Sequence, residues 1–361
     1  MRHVSRSIED LLRGMILAPV SHRQLYDRAV LKAKRLPPAG QGLKSLKKHE
    51  VARIELARSY TTGFLKKLAL RSPFLKDLHP FHRELAQLAV NTDEYRRCLA
   101  LIYGAVRILN KIAADQKRKV MRASTRQEII RARRQFFARM RSVLEDLDEC
   151  FTKLRNYQVE LMKLPNVDPE LGTVIVAGPP NVGKSSLVRA VSRARPEVRE
   201  YPFTTKTIVV GHVELEDGTK IQILDTPGLL DRPMKERNPI ELQAILAMKH
   251  LPGVILFLFD PSETCGFPLT YQLSVYRDVR TSFPSTPCIP VANKVDILNR
   301  ERALTLLRAL GEGDRRNLHF VSATKRVNVA LLLRRAIEVL AQAYPSLGIS
   351  VEPTGLASRS A

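Results

Sequence analysis

The chain has 361 residues, with 59 Lys and Arg against 36 Asp and Glu, a formal net charge of +23, and no tryptophan. A hydrophobic fraction of 44% excludes wholesale disorder, and no apolar run reaches the ~18–20 residues of a membrane span, Gly253–Phe259 being among the longest. The four cysteines Cys98, Cys150, Cys265 and Cys288 lie far apart without a C-x-x-C pair, which argues against a disulfide framework or a zinc finger and fits a reducing compartment.

The N-terminal 1–40 reads as a basic segment with short helices rather than a transit peptide, since Glu9 and Asp10 interrupt its arginines. Pro37-Pro-Ala-Gly40 is a loop. From 41 to 164 the pattern is helical, and an antiparallel bundle is expected. Its first helix runs from Lys44 to about Leu70. Its second runs from Asp93 to Lys119, with Leu99, Ile102, Val106, Leu109 and Ile112 on one face and Thr92 or Asp93 as cap. Its third is a single long helix from Ser124 to Leu164. Phe137, Met140, Leu144, Leu147, Phe151, Leu154 and Leu161 form its seam, and Pro165 ends it.

The charge is concentrated here. Residues 1–168 hold 35 basic and 17 acidic residues, net +18, whereas 169–361 hold 24 and 19, net +5. Basic clusters at Lys44/Lys47/Lys48, Lys66/Lys67/Arg71, Lys117/Arg118/Lys119/Arg122 and Arg131/Arg133/Arg134 favour contact with a polyanion, nucleic acid before a membrane surface. His79 and His82 are three apart, but Pro80 and the lack of nearby ligands make this a helix start rather than a metal site.

After a linker at 165–170 the periodicity changes, and 171–345 reads as an α/β domain. The strand Thr173–Ala177 runs into Gly178-Pro179-Pro180-Asn181-Val182-Gly183-Lys184-Ser185, with a helix from Lys184 to about Arg195. This is a phosphate loop: its glycines let backbone N–H groups close around phosphates at a helix N-terminus, with Ser186 in the same turn. Lys184 can reach the β- and γ-phosphates, and Ser185 can ligate Mg²⁺.

Three further motifs follow in order. The strand Ile221–Leu224 ends at Asp225-Thr-Pro-Gly228, an acid for Mg²⁺ and an N–H for the γ-phosphate. The strand Cys288–Ala292 ends at Asn293-Lys294-Val-Asp296, whose terminal carboxylate can accept from guanine N1 and N2, donors that adenine lacks. His319–Val321 leads to Ser322-Ala323-Thr324, where the Ala323 N–H can meet guanine O6. Between the first two motifs, Thr205, with Thr204 as alternative, is the candidate to ligate Mg²⁺ and sense the γ-phosphate. Thr207–Leu215 and Thr219–Asp225 form a hairpin around Asp217-Gly218, which makes the sheet mixed, with one antiparallel edge strand. The expected fold is a doubly wound, mixed α/β phosphate-loop GTPase domain preceded by an all-α helical bundle. Its helices are expected at about Pro239–His250, Leu269–Val279, Arg300–Leu310 and Val327–Ala343. A flexible tail is expected over 346–361.

Four stretches carry a family resemblance: Leu164-Pro-Asn-Val-Asp-Pro169; Pro202-Phe-Thr-Thr-Lys206 with Val210-Gly-His212; Asp225-Thr-Pro-Gly-Leu-Leu-Asp231 with Arg237-Asn238; and Asp260-Pro-Ser-Glu-Thr-Cys-Gly266. They resemble the Nog family, the nucleolar GTP-binding protein group of the Obg-related GTPases, and the likeness continues upstream through His79-Pro-Phe-His82. The resemblance implies a GTPase that uses GTP/GDP and Mg²⁺. It also implies binding to large-subunit rRNA and pre-ribosomal particles, with ribosomal proteins as neighbours, in maturation of the large subunit. Eukaryotic members carry a long C-terminal extension; here the chain ends soon after the GTPase domain, which resembles an archaeal or prokaryotic-like short form acting as a monomer.

Leu229 follows Gly228 where small regulatory GTPases place a water-orienting Gln, so slow intrinsic hydrolysis is expected. In similar GTPases an Asn at the position of Asn181 ligates K⁺; Asn181 is a candidate K⁺ ligand here, or it merely shapes the loop. Two other functions fit the same residues: a GTP-dependent factor acting on mature ribosomes or another structured RNA, and a protein-docking switch that does not touch RNA.

Overall fold

The computed structural model of the chain describes residues 12–164, 166–192, 197–200, 207–215, 217–225, 230–231, 245 and 248–349. The described residues fall into two units, one within 12–75 and 89–162, the other within 76–88 and 163–349.

The first unit is all-helical. It contains α1 (His22–Lys34), α2 (Leu43–Arg71), α4 (Thr92–Arg122), α5 (Arg126–Glu145) and α6 (Asp148–Met162). Helix α3 (Pro80–Ala89) lies almost wholly in the other unit. Helix α1 packs on α2 and α5, although the expected boundary at residue 40 left it outside the bundle. Helices α2 and α4 run antiparallel: Lys47 Nζ reaches the Met121 carbonyl at 2.9 Å, Lys117 meets Glu55 at 2.8 Å and Arg58 meets Asn110 at 2.8 Å.

Three expectations for this unit are corrected. The cap of α4 is Asn91, whose side chain accepts the Glu94 N–H, so Thr92 and Asp93 are already helical. The segment Ser124–Leu164 is two helices, not one. It opens on a Thr125/Glu128 capping box. It breaks at Asp146–Leu147, where the Leu147 N–H tightens onto the Leu144 carbonyl at 3.2 Å before Phe151 resumes the ladder on Leu147 at 2.8 Å. The break falls within the acidic run Glu145-Asp-Leu-Asp-Glu149, where like charges crowd at i, i+3 and i, i+4 and Asp is a poor helix interior residue. Asp148 is drawn instead to His22, accepting its backbone N–H at 2.5 Å and pairing with Nδ1 at 2.8 Å. Finally, the seam of α5 is Ile129, Ala132, Phe136, Met140 and Leu144; Phe136 is fully buried, and Phe137, the expected seam residue, is only half-buried.

The second unit holds a seven-stranded sheet in the order β2-β3-β4-β1-β5-β6-β7. The strands are β1 (Gly172–Ala177), β2 (Glu197–Glu200), β3 (Thr207–Glu214), β4 (Lys220–Asp225), β5 (Gly253–Phe259), β6 (Cys288–Ala292) and β7 (His319–Phe320). Strands β4, β1, β5, β6 and β7 are parallel, and β3 is antiparallel to β4. β3 is not the edge strand expected, because β2 pairs antiparallel along its outer side.

The hairpin turns at Gly218, φ +82°, with the Leu215 N–H on the Thr219 carbonyl. Strands β1 and β5 are buried along their whole length because both faces of the sheet are covered. Val174, Val176, Ile223 and Leu256 pack under α7 (Lys184–Val191) and α11 (Val329–Ala343). Phe257 and Phe259 pack on Tyr276 of α8 (Leu269–Ser282), on the other face. The remaining helices are α9 (Arg300–Ala309) and α10 (Glu312–Arg316). Helix α7 stops at Val191, short of the expected Arg195. Most of the expected helix Pro239–His250 and residues 350–361 of the tail lie outside the described residues.

Candidate nucleotide site

Every parallel strand points its C-terminal end at one edge of the sheet, and the loops that leave there carry the predicted motifs. The non-glycine residues at positive φ among the described residues are all in these loops: Asn181 after β1, Glu263 after β5, Lys294 after β6, and Arg326 and Asn328 after β7. Such conformations cost ~1–3 kcal/mol each and persist where surrounding contacts fix them, commonly at ligand clamps.

The phosphate loop needs its glycines. A Cβ on Gly178, φ +135°, would stand 2.5 Å from the Leu258 carbonyl oxygen, and one on Gly183, φ +102°, would stand 2.2 Å from Asn293 Nδ2. Gly178 donates its N–H to the Leu230 carbonyl at 2.9 Å, while Pro179 and Pro180 carry no N–H and shape the turn. Lys184 is buried, and its Nζ donates to the Gly178 and Pro179 carbonyls at 2.7 Å each, curling back over the loop it serves. Ser185 Oγ donates to Asp225 Oδ2 at 2.5 Å, so the hydroxyl and the buried carboxylate predicted to share a cation lie side by side. Both are hard oxygen donors, a set that fits Mg²⁺. Asn181 is exposed with φ +61°, a conformation Asn tolerates well. Thr205, Gly228 and Leu229 lie outside the described residues.

The base-recognition loops are tied to the phosphate loop by one side chain. Asn293 donates from Nδ2 to the Val182 carbonyl at 2.8 Å and accepts the Ala323 N–H on Oδ1 at 3.0 Å. Ala323, expected to face guanine O6, thus also has a partner within the protein. Asn293 is 2% exposed, so both bonds are shielded from water. Asp296 is exposed; its hydrogen bond from Ser322, with Lys325 and Lys294 nearby, holds its carboxyl below the usual carboxylate range, as an acceptor for two N–H donors requires. Ser186 is half-buried and Thr324 exposed. Lys294 turns away to Asp260 Oδ2, 2.7 Å, and Thr264 Oγ1, 2.9 Å.

Asp260 opens one of the stretches of the family resemblance but has no expected role in the site; an acid directly after a seven-residue apolar strand and followed by Pro-Ser-Glu-Thr signals a side-chain-nucleated turn. His79 and His82 gather no metal set, and no group of three or more metal-ligating side chains occurs among the described residues. His79 precedes α3, whose Glu84 pairs with His250 at 2.8 Å.

The helical unit divides the predicted basic clusters. Arg133 turns inward to the buried Glu50 at 3.2 Å, Lys117 pairs with Glu55, and Arg118 pairs with Asp115. Lys44, Lys48, Lys66, Lys67, Lys119, Arg122, Arg131 and Arg134 are exposed and have no acidic partner among the described residues. No described helix is long and apolar enough to cross a membrane.

A doubly wound sheet with these loops at the carboxyl ends of its strands, in a chain that also carries an N-terminal helical bundle, defines a phosphate-loop protein of the GTPase class. Residues 16–168 match the family model of the NOG1 N-terminal helical domain, and residues 239–296 match that of Nucleolar GTP-binding protein 1 (NOG1). An uncharacterized protein of Methanocaldococcus jannaschii is 35% identical over 253 residues, 70% of each chain. Nucleolar GTP-binding protein 1 of Drosophila melanogaster is 35% identical over 229 residues, 63% of this chain but 35% of that one. A solved nucleolar GTP-binding protein 1 from Plasmodium falciparum is 34% identical over 51% of this chain and 93% of that one, with a TM-score of 0.44. The chain belongs to the Nog family of GTPases, and it spans about a third of the length of the eukaryotic relatives it matches.

Proposed function

We propose that this chain is a GTP-binding and GTP-hydrolysing switch that holds large-subunit rRNA and acts in assembly of the large ribosomal subunit, as a cytoplasmic monomer. The observation that carries the nucleotide half is Asn293, which joins the phosphate loop at Val182 to the base loop at Ala323. One ligand therefore spans both, its base against Asp296, Ala323 and Lys294 and its phosphates in 178–186. On binding, Lys184 exchanges the Gly178 and Pro179 carbonyls for phosphate oxygens, and the backbone N–H groups at the start of α7 face the same charge. Ser185, Asp225 and Thr205 would hold Mg²⁺, which when bound neutralises charge on the β- and γ-phosphates. Gly228 supplies an N–H toward the γ-phosphate. Leu229 cannot orient water, so hydrolysis is slow without an activator, and Asn181 is the candidate ligand for a K⁺ that would assist it; equal turnover in K⁺ and Na⁺ buffers removes K⁺ from the mechanism.

The RNA half rests on the excess of +18 over residues 1–168 and on the unpaired cations of the helical unit. Few aromatics accompany them, so contacts to phosphates and shape suit this surface better than base stacking. A protein-docking switch would need a long apolar helix face open to a partner; the segment Ser124–Leu164 is instead two helices with Phe136, Met140, Phe151 and Leu154 buried. Sedimentation tests the proposal. Co-migration with immature large subunits, lost on mature ones and falling with salt at a log–log slope of about 0.7–0.9 per phosphate contact, supports it. Salt-independent association, or equal binding to mature subunits, refutes it.

A further inference from the structure

At the end of β5 the chain folds around one carboxylate. Asp260 is completely buried and accepts the Ser262 N–H at 3.1 Å, the Cys265 N–H at 2.8 Å and the Thr264 hydroxyl at 3.0 Å, together with the Ser262 hydroxyl. Gln272 of α8 takes the Asp260 N–H at 2.8 Å and donates to its carbonyl at 2.9 Å, which fixes the loop to its own helix. Burial pushes this carboxyl up, but the bonds from Lys294, Ser262 and Thr264 outweigh burial and hold it ionised.

Among the described residues Lys294 is the one donor to the Asp260 carboxylate from outside this loop, and it is the second residue of Asn293-Lys-Val-Asp296. Its backbone is left-handed, φ +63°, a state that a long side chain adopts only when something holds it. Backbone bonds frame the turn, with the Asn293 N–H on the Phe259 carbonyl at 2.8 Å and the Ile297 N–H on the Lys294 carbonyl at 3.0 Å, and the ammonium adds a side-chain clasp on Asp260 and Thr264. A second clasp runs parallel: Arg302 of α9 donates to Glu263 and to the Ser262 carbonyl, both at 2.9 Å. The 260–268 loop is thus a fixed anchor: the base-recognition turn is fastened to it through Lys294, and the helix that follows the turn through Arg302. An ion pair that served stability alone would not need to pin a strained residue between Asn293 and Asp296.

Resting on the assignment of 293–296 to the base, we propose that Asp260 is a positioning residue for guanine selectivity. It holds Lys294 in the left-handed turn that sets Asp296 relative to Asn293, and so fixes where the Asp296 carboxylate stands.

The test uses the full chain and titrates GDP, IDP and ADP. IDP lacks the N2 amine, so the ratio of GDP to IDP affinity reports the placement of Asp296, which uniform loosening of the fold would not change. Asp260→Asn should lower that ratio about tenfold, Lys294→Met should lower it as much, and the double variant no further. A ratio unchanged in folded Asp260→Asn, even with weaker binding of both nucleotides, overturns the proposal, as do losses that add in the double variant. If Asp260→Asn fails to fold, Thr264→Val keeps the ion pair and removes one bond to each member. It should lower the ratio by a smaller factor, and no change overturns the proposal. The wild type separates the two levels: failure to prefer GDP over ADP refutes the base site itself.

Discussion

Asn293→Ala is the most informative perturbation of the site. It removes the bond to the Val182 carbonyl at 2.8 Å and the bond from the Ala323 N–H at 3.0 Å, both buried. Each buried bond contributes ~0.5–1.5 kcal/mol, and a partner left unsatisfied costs ~1–3 kcal/mol. In the nucleotide-free variant the two loops can part and water can satisfy the freed groups, so the cost of holding them together again, about 3 kcal/mol, falls on binding, equivalent to roughly a hundredfold in affinity. The assay is titration of a fluorescent GDP analogue, with thermal melting of the nucleotide-free protein beside it. The affinity should fall by that factor while the melting point drops only a few degrees. Gly183→Ala approaches the same contact from the other side, because its Cβ would meet Asn293 Nδ2 at 2.2 Å in a backbone with φ +102°, and it should weaken binding similarly. A loss of less than threefold in both variants would refute the idea that this side chain couples the base and phosphate loops.

Other outcomes follow from individual contacts. Asp296→Asn should weaken GDP binding and improve XDP binding, because the base then presents a carbonyl where guanine has an amine; unchanged GDP affinity would place the base elsewhere. Gly178→Ala, whose Cβ would stand 2.5 Å from the Leu258 carbonyl oxygen, should destabilise the nucleotide unit by more than about 2 kcal/mol in a denaturant titration. Arg133→Ala removes a partner from buried Glu50 and should destabilise the helical unit by about 3 kcal/mol, whereas Arg131→Ala and Arg134→Ala should leave stability within ~0.5 kcal/mol and weaken RNA binding. Asp260 has a folded pKa below its ordinary value of 3.8, so its contribution is complete above about pH 4 and lost as pH falls through the lower folded value; Asp260→Asn should flatten that part of the stability profile.

The loops proposed to hold the nucleotide were legible in sequence because each is a local motif. Gly178–Ser185, Asp225, Asn293–Asp296 and Ser322–Thr324 each end a short apolar strand, and parallel topology brings all those ends to one edge. What escaped depends on contacts distant in sequence. The break after Glu145 has no Pro or Gly to announce it; it joins local charge crowding to the pull of His22 on Asp148, which lies 126 residues away. Choosing Phe136 over Phe137 as the seam required knowing which face meets α4, since adjacent aromatics satisfy the periodicity about equally. Strand β2 is only four residues and polar, so its identity comes from pairing with β3. Arg133 looked like its neighbours until Glu50, 83 residues earlier, drew it inward.

The central claim, that the loops at the carboxyl edge of the sheet form a guanine-nucleotide site, is tested most directly by calorimetric titration of the wild-type chain with GDP, XDP and ADP in Mg²⁺ buffer. GDP should bind at one site per chain, with XDP and ADP at least about a hundredfold weaker. Equal affinity for GDP and ADP, or no binding of any of the three, would contradict it.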